Sequence, residues 1–569
     1  MINSQEETAL DSSFATFLAG RSGLTGAAKD EFYSIVLRLS MSLAEGHSCL
    51  EVSLTERQLL SNLSLVREVD CAQATTQAPL ILHGSNLYLE RYYNYEMRLA
   101  RQVRILADIR FKGEIDSDVT ATLFPGESPE QSDQMRAALA ALSRALIIVS
   151  GGPGTGKTTT VVKMLAMLLA SSKTPLRIGL AAPTGKAAMR LSESIGNSLS
   201  NLDLPDLIRG SIPENAMTLH RLLGVKKNSP QFRHNSSRPL EVDVVVIDEA
   251  SMVDLAMMSK LVDALKPGSR LILLGDKDQL ASVESGAVLG DLIHSLAENS
   301  VVLKKTYRFD DNIKQLATHI NSSHHEAVWQ QLTGGQSSNV SLCKESELQS
   351  YLSLRYGEYL SFVQSLSYPN ENDVRQIFAS FSQFQVLCSV AFTANGVKAI
   401  NRLVEQSLSL KGLQCKYNEW YPGRPILITR NDYGLDLYNG DIGICLWDSE
   451  KQSLRVWFER PDGSLKSYAI NLLPTFETVY AMTIHKSQGS EFVEVLVVLP
   501  KEDNRVLSRE LIYTAVTRAK EKVRIVADRS VLTLALLRQH KRHSGLKKMI
   551  LEPSDCLQTG VGSTSDTDI

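Results

Sequence analysis

The run Gly151-Gly152-Pro153-Gly154-Thr155-Gly156-Lys157-Thr158 constrains this chain more than any other feature. It follows an apolar segment, Ala145-Leu146-Ile147-Ile148-Val149, that reads as a buried strand. It precedes Lys157 to Ala170, a stretch of good helix formers without Gly or Pro. Strand, glycine-rich loop and helix together form the context in which this spacing holds phosphate and does not merely turn the chain. The glycines let backbone N–H groups close around phosphate oxygens, and the helix N-terminus adds the positive end of its dipole. Lys157 is placed to reach the β- and γ-phosphates and Thr158 to ligate Mg²⁺, with Thr159 next to them in the nucleotide-binding segment.

A second apolar run, Val244 to Ile247, ends in Asp248-Glu249-Ala250-Ser251. In a parallel α/β sheet such a strand end lies beside the phosphate loop. Asp248 is expected to hold Mg²⁺ directly or through water, and Glu249 to orient and deprotonate the attacking water. A third run, Leu271 to Leu274, leads into Gly275-Asp276-Lys277-Asp278-Gln279. Gln279 is placed to touch both the γ-phosphate and the water. Upstream, Gln134 either hydrogen-bonds an adenine edge, which would favour ATP, or is a solvated helix side chain. Phosphoryl transfer also needs cations. Arg308 in Tyr307-Arg308-Phe309 and Arg518 in Tyr513-Thr514-Ala515-Val516-Thr517-Arg518 are the candidates. Arg518 falls in a second α/β lobe, so its donation across a cleft would convert hydrolysis into motion.

At 569 residues the chain exceeds a single core. Its 60 Lys and Arg against 63 Asp and Glu leave a net charge of −3, so any nucleic-acid contact must be local. Pro183, Thr184, Gly185 and Lys186 form a turn opening a helix; they suit a sugar-phosphate backbone, or Thr184 is a simple N-cap. His220 either contacts a strand or fills an inter-helix pocket. In the second lobe, Thr483, His485 and Lys486 are candidate DNA contacts. Gln488, Gly489 and Glu491, in the same segment, are candidate nucleotide contacts. The basic stretch around 225–238 reads as an exposed hairpin, either solvated or able to wedge a duplex. Seven cysteines without a CxxC pair suggest neither zinc nor a disulfide frame, which fits a reducing cytoplasm. The polar N-terminus is no signal peptide, and no apolar run spans a bilayer, so no membrane role is expected. The Ser/Thr/Gly/Asp-rich end, 553–569, reads as a disordered tail.

With these residues in hand, the chain resembles superfamily 1 helicases, and more closely the RecD family, the alpha subunits of exodeoxyribonuclease V (RecBCD). The segments GGPGTGKTTTV, APTGKAAMRL, TLHRLLG, VVVIDEASMVD, GDKDQLASVESGAVLGD, TYRF, GRPILITRNDYGLDLYNGDIG, TIHKSQGSEF and YTAVTRAK occur in family order. The resemblance implies an α/β fold of two RecA-like P-loop lobes, 113–335 and 336–552. A small, mostly helical N-terminal domain, 1–112, would dock on the gamma subunit. The polar segment Gln330 to Asn339 reads as the linker between the lobes. An SH3-like β insert is implied near 415–475, where Asn439-Gly440 and Asp462-Gly463 give hairpin signals. The resemblance further implies ATP and Mg²⁺, and 5′-to-3′ movement on single-stranded DNA. RecB-like beta and RecC-like gamma subunits would complete a heterotrimer that processes double-stranded DNA ends in break repair and recombination, with the nuclease in the beta subunit. Two alternatives stay open. One is an assembly subunit that controls the partner nuclease; the other is a stand-alone RecD-like helicase, although those carry an N-terminal extension that this chain lacks. The segment Leu387 to Thr393 departs from the family, which has an arginine near Ala391 or Phe392.

Overall fold

Strand Val244–Ile247 of the first lobe is an unbroken apolar run with every residue buried, and Leu146–Ser150 beyond its neighbour is buried throughout, the signature of strands covered on both faces. The computed structural model describes residues 7–69, 78–112, 116–226, 229–282, 284–306, 311–335, 338–416, 419–432, 434–460, 463–539 and 541–552. Its largest sheet runs Ser300–Val302, Leu146–Ser150, Arg270–Gly275, Val244–Ile247, Ile178–Ala182, Met217–Thr218, parallel throughout. Leu146–Ser150 lies beside Arg270–Gly275, and that strand beside Val244–Ile247. The loops carrying Lys157, Gln279 and Asp248-Glu249 therefore leave one edge of the sheet together.

A second parallel sheet runs Val340–Leu342, Ala519–Val526, Phe492–Val498, Phe384–Cys388, Ala481–Thr483. Between its strands the chain builds a five-stranded antiparallel sheet from Pro425–Ile428, Ile442–Asp448, Ser453–Glu459, Leu465–Ala469 and Phe476–Thr478. It has its own core of Ile426, Ile428, Cys445, Val456, Phe458 and Tyr468. Gly443 must be glycine there, since a Cβ would stand 2.5 Å from both Phe458 and Val456.

At the N-terminus, helices Ala9–Arg21, Gly26–Ala44 and Leu54–Ser61 enclose a core with a four-stranded mixed sheet, through Phe32, Ile35, Leu39, Leu80 and Leu87. Helix Glu90–Asp108 is different. Tyr93, Leu99, Val103 and Leu106 share a core with Leu146, Ile148, Leu261 and Leu271 of the first lobe. Although it lies inside the expected 1–112 unit, this helix packs with the motor lobe as well as with Ile81 and Tyr88, because its apolar stripe faces helices Leu255–Asp263 and Leu546–Leu551. The helix begins at Glu90, directly after strand Asn86–Leu89, which holds Tyr88. Helix His325–Thr333, held by buried Val328 and Leu332, takes up the first four residues of the segment expected as the linker, 330–333. The expected tail, 553–569, lies outside the described residues.

Candidate nucleotide site and the cleft between the lobes

The phosphate loop is shaped by glycine where no other residue fits. Gly154 and Gly156 take φ of 76° and 79°, the left-handed region open to glycine. A Cβ on Gly151 would lie 2.6 Å from the Thr155 hydroxyl oxygen. Gly156 caps helix Lys157–Ser171, whose first N–H groups point into the loop. The Lys157 ammonium donates to the Gly151 and Gly152 carbonyls at 2.7 and 3.1 Å, and the Thr155 hydroxyl to the Gly152 carbonyl at 2.8 Å.

A cavity of about 370 Å³ opens beside this loop. Pro153, Gly154, Gly156, Lys157, Thr158 and Thr159 line it, together with Asp248, Glu249 and Gln279. Glu249 holds φ of 51°, a strained conformation for a side chain of its size, and its N–H donates to Asp248 Oδ1 at 2.8 Å. Burial and the adjacent Glu249 carboxylate push the Asp248 pKa up. Two carboxylates crowded this way favour a divalent cation, and the Thr158 hydroxyl lines the same space. The residues therefore fit the Mg²⁺ implied by a phosphate loop.

The second lobe completes the cavity with Arg518 and Glu491. Arg518 is buried and its guanidinium donates to the carbonyls of Thr514 and Ser490, both at 3.3 Å. Below the cavity, Asp276 ties the lobes together. Its Oδ2 accepts from the Tyr513 hydroxyl at 3.0 Å and from the Gln279 amide at 3.2 Å. Burial pushes its pKa up to about 6. The Leu280 N–H donates to the Thr514 hydroxyl, and the Gln488 amide donates to the Leu280 carbonyl, both at 2.9 Å.

Of the expected nucleotide contacts, Gln488 and Gly489 do not line this cavity. Gln488 latches the Gln279 loop, and Gly489 lets the second lobe's backbone approach Ala187, whose Cβ would meet an added methyl at 3.3 Å. Gln134 sits in a neighbouring cavity of about 170 Å³, with Thr155, Leu303 and Lys305, on the other side of the loop. Arg308 lies outside the described residues. Sequence reasoning assigned no role to Arg190, Asp276, Tyr513 or Thr514. Arg190 lines the cavity and pairs with Glu491 across the lobes. The signal was present: Arg190 stands in the APTGKAAMRL segment, and Tyr513 and Thr514 lie about one helical turn before Arg518.

Of the nucleic-acid candidates, Gly185 and Lys186 line an adjoining cleft of about 440 Å³ between the first lobe, the β insert and the second lobe, and Pro183, Thr184, His220, Thr483, His485 and Lys486 do not. Gly185, Lys186, Thr218, Arg221, Tyr438 and Lys520 line it. The Thr184 hydroxyl accepts the Ala187 N–H at 3.2 Å and so caps helix Gly185–Asn201. Pro183 precedes that cap at the end of strand Ile178–Ala182. The Lys186 ammonium stands 5.8 Å from the Phe492 ring centroid, and burial lowers its pKa to about 8. Arg221 binds Asp436 at 2.6 Å and the Tyr438 hydroxyl, joining the first lobe to the insert. The His220 ring meets Phe232 edge-on at 5.7 Å. The Thr483 hydroxyl accepts the Lys486 N–H at 3.3 Å, and the Lys486 ammonium pairs with Glu477 at 2.6 Å. His485 faces a different cavity, which also contains Lys277, Gln279 and Arg542. Val225 bridges Phe232, and Asn235 bridges Arg238 in a separate tight turn; residues 227 and 228 of the basic stretch lie outside the described residues.

A model of the AAA domain matches residues 134–285, and a model of the UvrD-like helicase C-terminal domain matches residues 478–526. The RecBCD enzyme subunit RecD of Mycolicibacterium smegmatis is 40% identical over 489 residues, 83% of this chain and 84% of that protein. The chain belongs to the RecD family. Another member, RecBCD enzyme subunit RecD of Haemophilus influenzae, is 35% identical over 83% of this chain and 81% of its own length. The ATP-dependent RecD2 DNA helicase of Deinococcus radiodurans is 31% identical over 82% of this chain and 58% of that protein. Among solved structures, Pif1 helicase from Candida albicans is similar with 18% identity over 70% of this chain and 95% of that one, at a TM-score of 0.39. Strands Leu146–Ser150, Ile178–Ala182, Met217–Thr218, Val244–Ile247 and Arg270–Gly275 of the first sheet lie within the AAA match, and strands Ala481–Thr483, Phe492–Val498 and Ala519–Val526 of the second within the UvrD-like helicase C-terminal match. Among the described residues no helix is long and apolar enough to cross a membrane.

Proposed function

We propose that this chain is an ATP-driven DNA helicase that moves 5′-to-3′ on single-stranded DNA as the alpha subunit of a RecBCD helicase–nuclease. One observation carries the reading: a single cavity gathers Lys157, Thr158, Asp248, Glu249 and Gln279 from one lobe and Arg518 from the other. Lys157 neutralises the triphosphate. Glu249 takes the proton of the attacking water, which Gln279 orients. Arg518 answers the charge that develops on the transferring phosphoryl group. Thr158 and Asp248 would hold Mg²⁺, which supplies charge neutralisation to the phosphates when bound. Gln134 reads the adenine edge from the adjoining cavity. Glu491 contributes to nucleotide binding from the second lobe. Pro183, Thr184, Gly185, Lys186, His220, Thr483, His485 and Lys486 guide the DNA strand.

The subunit role is favoured over a stand-alone helicase by the higher identity to RecD subunits, 40% against 31% for RecD2. The N-terminal unit, with its own core, is then the surface for a RecC-like gamma subunit, beside a RecB-like beta subunit and a double-stranded DNA end. The β insert is read as SH3-like. The test is steady-state ATP hydrolysis by the full chain, with and without single-stranded DNA, and by Lys157→Ala. Stimulation by DNA is expected, with hydrolysis abolished in the variant while it still co-purifies with its partners. Full ATPase activity in Lys157→Ala would overturn the site.

A further inference from the structure

The wall between the nucleotide cavity and the neighbouring cleft is an ion pair. Arg190, on helix Gly185–Asn201 of the first lobe, and Glu491, just before strand Phe492–Val498 of the second, line both spaces. They bind each other directly, with side chains 26% and 12% exposed. On one side lie Lys157, Asp248 and Arg518; on the other lie Lys186, Arg221 and Tyr438. We propose that Arg190 is a nucleotide-facing cation that exchanges Glu491 for the triphosphate of ATP, so that the pair is a nucleotide-controlled latch between the lobes. This rests on the reading of the cavity as the ATP site.

Three features make the exchange possible. Lys520 stands 3.8 Å from the far oxygen of Glu491, so the carboxylate keeps a cation when Arg190 leaves. A half-buried carboxylate stranded without one would be costly. Secondly, Arg190 loses no charge-assisted hydrogen bonding by moving from carboxylate to phosphate, since its planar fork serves both. Thirdly, Arg518 is tethered to the Thr514 and Ser490 carbonyls of its own lobe, whereas Arg190 reaches across to the opposite lobe. The latch also sits beside a close approach of the two lobes, with Gly489 packed on Ala187 three residues before Arg190. Releasing Arg190 therefore frees a contact that walls both the nucleotide space and the cleft lined by Gly185 and Lys186.

The two ends of an exchanging pair must respond with opposite sign. The dissociation constant of Mg²⁺-AMPPNP is measured on the full chain by titration calorimetry, with thermal unfolding of each variant as a control. Arg190→Ala is expected to weaken binding about tenfold, the scale of one charge-assisted contact. Arg190→Lys keeps the charge and should recover most of that loss. Glu491→Gln keeps an acceptor for the nucleotide but removes the competing charge, and should tighten binding about threefold. The double variant should bind like Arg190→Ala, because a competitor without its arginine has nothing to withhold. If Arg190→Ala stays within about twofold of the parent, or if both single variants weaken binding together as partners in a merely structural contact would, the latch is wrong. Lys157→Ala separates the levels. If it hydrolyses ATP normally, the ATP site itself falls; if it is inactive while Arg190→Ala and Glu491→Gln shift together, only the latch falls.

Discussion

Glu96 offers a test whose sign and size follow from its surroundings. It lies on helix Glu90–Asp108, fully buried, where the C-terminal segment returns to the first lobe. Its Oε1 accepts from the Ser48 hydroxyl at 2.5 Å and the Ser544 hydroxyl at 2.9 Å, and its Oε2 from the Gly545 N–H at 3.2 Å. Burial outweighs these donors and raises the pKa from 4.5 to about 7. An acid whose folded pKa is raised binds its proton more tightly when folded, so stability falls as pH rises between the two values and the full penalty stands above the upper one. Between pH ~5.5 and ~8.5 the penalty grows from about 1.4 to about 3.4 kcal/mol, a change of about 2 kcal/mol. Glu96→Gln cannot ionise and abolishes that change. Its amide nitrogen would face the Gly545 N–H, at a pH-independent cost of about 1–2 kcal/mol. Relative to the parent, the variant should therefore gain about 2 kcal/mol from the acidic to the alkaline end of that window, most of it below pH ~7. The assay is the difference in urea midpoint between variant and parent, followed by a probe in helix Leu546–Leu551 across the pH series. A difference that stays flat with pH would refute the argument. A change already complete by pH ~6 would assign the effect to Asp291, whose pKa burial raises from 3.8 to about 6.

Tyr513→Phe removes the second lobe's hydroxyl from Asp276 and leaves that carboxylate with the Gln279 amide and the Asp278 N–H. The expected cost is about 1.5–3 kcal/mol, read as a fall in DNA-stimulated ATPase with the fold retained by circular dichroism; unchanged turnover would show that this bond does not couple the lobes. Deleting residues 1–112 strips Tyr93, Leu99, Val103 and Leu106 from the first lobe's core. The deletion should yield aggregated or inactive protein, and a soluble product with parental ATPase would contradict the shared core.

Much of the site is legible in one dimension. The glycine spacing at 151–156, the apolar runs ending in Asp248-Glu249 and before Gln279, and the helix after Lys157 are short-range features. Their backbone conformations are set by residues within a turn or a strand of one another. Strand Val244–Ile247 and helix Lys157–Ser171 form where the local pattern puts them. The sequence alone also suffices for the family, since nine motifs occur in order. What it leaves undecided is which distant groups share a space. Arg518 and Glu491 line the cavity, while Gln488, only three residues from Glu491, turns its amide to the Leu280 carbonyl instead. Helix Glu90–Asp108 joins the motor's core although it precedes the phosphate loop by a whole segment. Arg190 meets Glu491 across 301 residues of chain. These outcomes depend on how two separately formed sheets dock, and docking is decided by shape and by the pairing of half-buried charges over the whole interface. Those interactions exist only once the chain has closed on itself, so no local window of sequence contains them.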